Sequence, residues 1–272
     1  MRLAFVTDDL RHQAGVAIKQ QPDGTLKGTI DSTDGADHDA VRRQVERILS
    51  LDVDPAPWDE VGRRDPVIGR LQAAHPGLRP VLFHSPYEAA LWSIISSRRH
   101  RSQGAALRLR LSQAVGRKFV VDGEEAWAVP TPLQLLDLKG FPGLDPQRTQ
   151  RLHALASAAL AGELEADVLR ALPADLALRR IQALPGIGPT YGTLILLRST
   201  GATDVLTTHE PRTPSYVAHY YRLGRQPSPA EITLIAEKWR PFRTWAVVLM
   251  RVAGDREQLP WSPPGPERGP RR

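Results

Sequence analysis

The chain has 272 residues, a formal net charge of +6 and an isoelectric point near 10.0. Its hydrophobic fraction of 41% is enough for a core, and no apolar run reaches the ~18 residues that a membrane span requires. The sequence contains no cysteine, which excludes disulfides, thiolate zinc sites and iron-sulfur clusters. The excess of arginine favours an anionic partner, although a solvated basic surface would have the same composition. Acidic residues near the N-terminus argue against a signal peptide and predict a cytoplasmic protein.

The N-terminal region is predicted to form a small β element. Short apolar runs in residues 3–30 are interrupted by Gln21-Pro22-Asp23-Gly24, a strong turn signal. Apolar residues at helical spacing and cap residues predict that the rest of the chain is helical, with Asp39 helping to begin the first helix. The predicted helices cover residues 39–50, 57–62, 65–74, 86–97, 102–116, 131–137, 146–161, 165–171, 174–183, 189–200, 211–222, 229–239 and 242–253.

These elements suggest three parts of the chain. Residues 1–80 would hold the N-terminal β-hairpin element and linking helices, and residues 81–258 would form a helical core. Residues 259–272 contain five prolines and several arginines, a composition typical of a disordered tail.

The stretch Leu184-Pro185-Gly186-Ile187-Gly188-Pro189 lies between two amphipathic runs and predicts a helix, a tight hairpin and a second helix. Gly186 and Gly188 lack Cβ atoms, so they can adopt positive φ and allow a ligand to approach the backbone. The second helix would direct its N-terminal amides outward, an arrangement suited to a phosphate group. A plain turn in a helical domain would have the same composition.

Several motifs in the same order resemble the helix-hairpin-helix DNA glycosylases, in particular the 3-methyladenine DNA glycosylase II family. The hairpin is followed, 22 positions after Gly188, by Glu210, where that family has its catalytic aspartate. Further similar segments span roughly Ala74 to Arg251, and they are Ala74-His75-Pro76-Gly77-Leu78-Arg79, Ser85-Pro86-Tyr87-Glu88-Ala89, Pro130-Thr131-Pro132-Leu133-Gln134-Leu135-Leu136 and Lys238-Trp239-Arg240-Pro241-Phe242-Arg243-Thr244-Trp245-Ala246.

The resemblance implies a mainly α fold, a two-lobed helical core of the helix-hairpin-helix glycosylase type with a shortened N-terminal antiparallel β element. It further implies a monofunctional DNA glycosylase that flips an alkylated base of the 3-methyladenine type out of the helix and hydrolyses its N-glycosidic bond in base excision repair. The expected partner is double-stranded DNA containing damaged bases, and a monomer is the default state. The hairpin residues Leu184, Gly186, Ile187 and Gly188 would bind the DNA backbone.

Glu210 is the candidate catalytic residue. A carboxylate near the anomeric carbon stabilises the positive charge that develops on the sugar and can orient a water molecule. Glutamate reaches about one methylene further than aspartate, so the loop at Pro211 would have to set it back or the geometry would be poorer. A structural alternative is an acid in the first turn of the following helix, favoured by the helix dipole.

The sequence also predicts which branch of the superfamily is excluded. Bifunctional members carry a nucleophilic lysine just inside the second hairpin helix, a position that Thr190 occupies here. No lysine occurs between Lys139 and Lys238. The endonuclease III branch usually carries a cysteine-ligated iron-sulfur cluster, which this chain cannot hold. No cofactor is therefore expected to be required.

When a base is flipped out of the DNA helix, a protein side chain usually fills the space that it leaves. The resemblance implies that this side chain follows the first core helix, the helix predicted over residues 86–97. Arg98 falls at this wedge position, and Arg99 and Arg101 could hold the neighbouring phosphates. An ordinary basic loop is the alternative interpretation.

The base pocket is predicted around Trp92, Thr190, Tyr191, Leu194 and Pro211. Four positions where the family has aromatic rings hold Thr190, Leu194, Pro211 and Arg251 instead. Tyr191, Trp92 or Trp245 would have to compensate, although tryptophan at helical spacing is more often core. The resemblance also implies a monovalent cation at the hairpin, held by the carbonyl groups of Gln182, Leu184 and Ile187.

A second function stays open at this point. It is a non-enzymatic protein that binds damaged or distorted DNA and has lost the catalytic aspartate. Two features favour it, the glutamate at position 210 and the non-aromatic residues at the pocket positions.

Overall fold

The computed structural model describes residues 1–31, 35–206 and 212–259. The strands in this part of the chain are Arg2–Val6 (β1), Gln13–Gln20 (β2), Leu26–Asp31 (β3), Arg117–Val121 (β4) and Glu124–Ala128 (β5). The helices are His38–Ile48 (α1), Ala56–Arg64 (α2), Pro66–Ala74 (α3), Pro86–Ser96 (α4), Arg101–Val115 (α5), Pro132–Leu136 (α6), Pro146–Leu160 (α7), Ala166–Ala171 (α8), Ala174–Gln182 (α9), Pro189–Ser199 (α10), Thr213–Tyr220 (α11), Pro229–Ala236 (α12) and Arg243–Arg256 (α13). The prediction of a mainly helical fold with a small antiparallel sheet is confirmed.

The N-terminal strands form an antiparallel sheet in the order β1-β2-β3. The turn predicted at Gln21 to Gly24 is present, since the Gly24 amide donates to the Gln21 carbonyl at 2.9 Å and Gly24 has a φ of +86°. One face of the sheet packs on α1, where Phe5 and Val16 meet Val41 and Ile48. The first residue of α1 is preceded by Asp37, whose side chain accepts from the Asp39 amide and caps the helix, while Asp39 is the acidic residue of its first turn.

The second hairpin, β4-β5, was not predicted, because residues 117–128 were assigned to the helical part of the chain. Its turn consists of Asp122 and Gly123, both with positive φ, and this dipeptide is the strongest short-range signal for a two-residue hairpin loop. The hairpin packs across the N-terminal sheet so closely that a Cβ at Gly15 would lie 2.9 Å from Phe119 side-chain atoms. It therefore extends the β element beyond the N-terminal residues.

The helices and strands divide into two compact units, and each unit combines two separate stretches of the chain. The first unit comprises residues 1–52 and 81–201 and contains both sheets and the hairpin between α9 and α10. Helix α4 is buried along nearly all its length in this unit and packs against α5, α7 and α10.

The second unit comprises residues 53–80 and the described residues of 202–259. Its core is aromatic, with Trp58, Trp239, Phe242 and Trp245 all buried. These boundaries divide the chain differently from the predicted ranges 1–80 and 81–258. Most of the predicted tail, residues 260–272, lies outside the described residues.

A buried carboxylate connects α4 to the sheet of the first unit. Glu88 is 2% exposed, and its oxygens accept from the Val6 amide at 3.0 Å, His84 Nδ1 at 2.9 Å and Arg108 Nη2 at 3.1 Å. Burial alone would raise the pKa of Glu88, but the interactions with His84, Arg108 and the Val6 amide outweigh it and lower the pKa below its ordinary value. The ionised form of Glu88 therefore stabilises the first unit.

Replacing Glu88 by glutamine should lower the free energy of unfolding at pH 7 by about 1–3 kcal/mol, because buried donors lose their charged acceptor. Since the pKa of Glu88 is lowered by folding, its contribution is present above the unfolded pKa of about 4.3 and is lost as pH falls through the lower folded value. Denaturant unfolding at several pH values should show the difference between wild type and Glu88→Gln shrinking below about pH 4. A difference independent of pH would contradict this role. Glu124→Gln, an exposed change on β5, is the control.

Candidate functional site

The hairpin predicted from the sequence lies between α9 and α10. The chain reverses at Gly186, which has a φ of +88°, and the Ile187 amide donates to the Leu184 carbonyl at 3.1 Å. The side chains of Leu184 and Ile187 are each only 5% exposed and anchor the turn in the first unit. These two residues can thus reach a ligand through their backbone, while Gly186 and Gly188 lie on the surface.

The two glycines have different conformations, and the expectation of positive φ is wrong for Gly188. Gly188 has a φ of −90° and a ψ of −176°, because it is the extended residue that precedes the first turn of α10. A Cβ at this position would meet no atom within 4 Å. Folding therefore requires glycine at position 186 by conformation, whereas position 188 has open space beside it.

The N-terminus of α10 exposes unused hydrogen-bond donors. Gly188 provides no side-chain cap, and the first helical bond runs from the Gly192 amide to the Gly188 carbonyl at 2.8 Å. Among the described residues, the amides of Gly188, Thr190 and Tyr191 have no acceptor. Such amides, together with the helix dipole, favour an anion.

The opposite end of α10 is held inside the first unit. The buried Arg47 donates from Nη1 to the Ser199 carbonyl at 2.7 Å, and the Phe83 amide donates to the Arg198 carbonyl at 2.6 Å. Gly201 follows the C-cap residue Thr200 with a φ of +79°, a conformation that commonly ends a helix. The helix is therefore fixed at its C-terminus while its N-terminus faces outward.

The segment that follows is attached to the start of α13 by contacts that the sequence did not suggest. Asp204 accepts from Arg243 Nε at 2.7 Å and from Arg240 Nη1 at 2.9 Å. Thr244 accepts from the Val205 amide and donates to the Val205 carbonyl, both at 3.0 Å, while its own amide donates to the Thr203 carbonyl. The only sequence signal was that Arg243 and Thr244 belong to a family-like motif.

Glu210 and Pro211 lie outside the described residues, so their predicted roles stay predictions. The chain on the far side of residues 207–211 is attached to the other end of α13. Arg212 contacts Asp255 at 3.2 Å, and the Tyr216 hydroxyl donates to the same carboxylate at 3.0 Å. Both borders of the segment that contains Glu210 are thus bound to one helix.

The predicted wedge residues follow α4 in a tight turn. Arg98 is exposed and has a φ of +56°, which is uncommon for a residue with a side chain. Arg99 donates to the carbonyls of Ile95 at 2.9 Å and Gly143 at 2.5 Å, so it stabilises the turn itself. Arg101 is exposed at the start of α5, which His100 caps. Arg98 and Arg101 are therefore the members of the predicted set that face solvent.

The predicted pocket residues are distributed over two helices that pack together in the first unit, α4 and α10. Trp92 on α4 is half-buried and lies over Gly104, where a Cβ would be 3.3 Å from the indole. On α10, Thr190 is exposed, and Tyr191 and Leu194 are half-buried. The role of these side chains in binding a flipped base stays a prediction.

The carbonyl groups of Gln182, Leu184 and Ile187 border the hairpin, and that of Leu184 already accepts the Ile187 amide. A monovalent cation held by these three carbonyls stays a prediction. Within residues 1–31, 35–206 and 212–259, no group of three or more histidine or acidic side chains could hold a metal ion. No helix in these ranges is long and apolar enough to cross a membrane.

Known proteins resemble this chain in sequence and in fold, although no family model matches the sequence. The chain is 31% identical over 190 residues to DNA-3-methyladenine glycosylase 2 of Escherichia coli K12, covering 66% of this chain and 62% of that protein. The structure matches the 3-methyladenine DNA glycosylase of Archaeoglobus fulgidus with a TM-score of 0.75, 19% identity and coverage of 95% of this chain and 88% of the other.

A third match, with a TM-score of 0.61 and 16% identity, is the 8-oxoguanine glycosylase/lyase of Clostridium acetobutylicum in complex with double-stranded DNA. It covers 95% of this chain and 99% of the other. The chain has the fold of the helix-hairpin-helix DNA glycosylases. Its sequence is similar to DNA-3-methyladenine glycosylase 2, of which it spans somewhat less than two thirds.

The different conformations of the two hairpin glycines should appear in unfolding experiments. Gly186→Ala should lower the free energy of unfolding by about 1–2 kcal/mol, because a Cβ is unfavourable at positive φ. Gly188→Ala should change it by less than about 0.5 kcal/mol, since its backbone is extended and its surroundings are open. Equal effects of the two substitutions in urea unfolding would argue against this assignment.

The attachment of residues 203–205 to α13 can be tested separately. Asp204→Asn should destabilise the second unit by about 1–3 kcal/mol, because Arg243 is largely buried and loses its charged acceptor. The matched control is Glu60→Gln, since Glu60 lies in the same unit and pairs with Arg63 but both side chains are exposed, and it should have little effect. Thermal unfolding followed by tryptophan fluorescence reports on this unit, whose core contains Trp239 and Trp245. A similar loss for both variants would contradict the assignment.

Proposed function

We propose that this protein is a monofunctional DNA glycosylase that removes alkylated bases of the 3-methyladenine type from double-stranded DNA in base excision repair. The observation that carries the proposal is the exposed N-terminus of α10 followed, at the family's spacing, by a carboxylate residue whose segment is bound at both borders to α13. The hairpin would bind a phosphate, and Glu210 would act on the sugar. The name of the E. coli relative supports the class of lesion.

The proposed chemistry requires little from the protein beyond a placed negative charge. An alkylated purine carries a positive charge and is already a fair leaving group. As its bond to the sugar breaks, positive charge develops at the anomeric carbon, and the Glu210 carboxylate would stabilise that charge and orient the attacking water.

The hydrolytic character of the proposal follows from the amino acid at position 190. Thr190 stands at the exposed start of α10, where a Schiff-base mechanism would need an amine, and α9 and α10 contain no lysine. The Clostridium acetobutylicum match is named as a glycosylase/lyase. For this chain we expect base removal without strand cleavage.

Recognition of the lesion would involve base flipping. Arg98, exposed after α4, would fill the space that the flipped nucleotide leaves, and Arg101 would contact a neighbouring phosphate. Trp92, Tyr191 and Leu194 would contribute to the pocket. The protein would act as a monomer in the cytoplasm, without a required cofactor, and a monovalent cation at the hairpin carbonyls would be structural.

A second candidate is a non-enzymatic protein that binds damaged or distorted DNA. It is favoured by the glutamate at position 210, because the related family uses aspartate there. The two candidates differ in whether any base is released.

Glu210→Gln should reduce base excision by about 100-fold or more, because it removes the charge that stabilises the sugar cation. The assay incubates the protein with an oligonucleotide duplex carrying 3-methyladenine and then cleaves abasic sites with alkali. Binding of the variant to the same duplex should stay close to wild type. Glu210→Asp is the matched control, since it keeps the charge and restores the residue found in the family.

Three outcomes decide between the candidates. Alkali-dependent cleavage by wild type that Glu210→Gln abolishes supports the enzyme. Binding without any cleavage by wild type overturns the enzymatic proposal and supports the binder. Binding that does not weaken with added salt would contradict the assignment to DNA altogether, because phosphate contacts release counterions.

A further inference from the structure

Helix α7 connects the turn after α4 to the hairpin between α9 and α10. Near its start, Arg148 donates from Nη2 to the Ser97 carbonyl at 2.9 Å, directly before Arg98. One turn later, Arg151 lies against Gly186, because a Cβ built on that glycine would be 2.7 Å from Arg151 Cδ and 2.8 Å from Nε. Two predicted DNA-contacting segments thus meet the same helix within three residues.

The neighbouring arginines have structural partners, whereas Arg151 has none in the described part of the chain. Arg148 also pairs with Asp145, and Arg99 donates to two backbone carbonyls. The guanidinium of Arg151 makes neither a hydrogen bond nor an ion pair there, although the side chain is half-buried. A cation held beside a backbone by packing alone keeps all five of its donors available.

The position of Arg151 is set by the conformation of Gly186. A residue with a side chain at position 186 would collide with the aliphatic part and the Nε of Arg151, so the close approach depends on the missing Cβ. The turn therefore holds the Arg151 guanidinium against Gly186, in the same hairpin as the amides of Gly188, Thr190 and Tyr191, which have no acceptor among the described residues. Arginine suits a phosphate because its planar fork donates two parallel hydrogen bonds.

We infer that Arg151 is a DNA-binding residue, and that it donates to the DNA backbone phosphate that the hairpin amides receive or to the phosphate next to it. The inference rests on the proposed function, because it takes the hairpin to be the DNA contact. Helix α7 thereby joins the hairpin and the turn at Arg98 in one basic surface of the first unit. Arg151 contributes charge and orientation on the DNA backbone and does not read the base.

The test measures binding of the full chain to a duplex that contains a tetrahydrofuran abasic-site analogue. Fluorescence anisotropy gives the affinity at KCl concentrations between about 50 and 300 mM, a range over which the affinity should fall about tenfold or more. Arg151→Gln should weaken binding about two- to tenfold and reduce the slope of log K against log salt by about 0.9, the value for one phosphate contact. Arg151→Lys should retain the slope and lose part of the affinity, because lysine keeps the charge without the planar fork.

The matched control is Arg42→Gln, which makes the same charge change on α1, where Arg42 faces Asp39 and Glu46. A slope for Arg151→Gln equal to that of Arg42→Gln would overturn the inference while leaving the proposed function intact. A flat salt response of the wild type would instead overturn the proposed function. Melting curves of the variants exclude loss of folding, and a folded Arg151→Gln protein with the reduced slope supports the inference.

Discussion

The conformation of Gly186 is the constraint on which the hairpin depends. Its positive φ turns the chain between α9 and α10 so that Leu184 and Ile187 can both bury their side chains. The same turn leaves the first amides of α10 facing outward without acceptors among the described residues. A helix end of this kind is tolerated in water, and it becomes favourable when a negative charge approaches. In place of a side-chain cap, the helix therefore has exposed amides of the kind that favour an anion.

Helix α13 has the corresponding organising role in the second unit. Its first turn binds residues 203–205, and Asp255 in its last turn binds Arg212 and Tyr216. The described residues on either side of 207–211 are thus both bound to one helix. The side chains that bind them there are polar and lie far apart in the sequence.

Much of the helical fold could be predicted because it is encoded locally. All thirteen predicted helices are recognisable, with shifted ends, although the helix predicted over 229–239 becomes α12 followed by a short 3-10 turn at Glu237–Trp239. The hairpin was found because glycine and proline restrict backbone conformations in a readable way. The hairpin β4-β5 was missed even though Asp122-Gly123 signals it, because the apolar strands are short and follow directly after α5.

The rest of the site could not be predicted because it depends on contacts between distant residues. Nothing near Asp204 in the sequence indicates Arg243 as its partner, and the approach of Arg151 to Gly186 appears only after α7 has packed. The prediction of a positive φ for Gly188 was wrong for a related reason. A glycine that starts a helix and one that reverses the chain look the same in sequence.

The discontinuous composition of the two units affects the order in which they can be completed during synthesis. Residues 53–80 leave the ribosome long before the remainder of the second unit, whose Trp239 and Trp245 cover Trp58. In the same way, Arg47 is synthesised about 150 residues before Ser199, whose carbonyl group accepts its hydrogen bond at the end of α10. The first unit can be completed once residue 201 has been made, but its first 52 residues wait for residues 81–201, and residues 53–80 wait for the C-terminal part of the chain. Contacts between residues so far apart in the sequence form slowly, because the entropy of closing long loops must be overcome first.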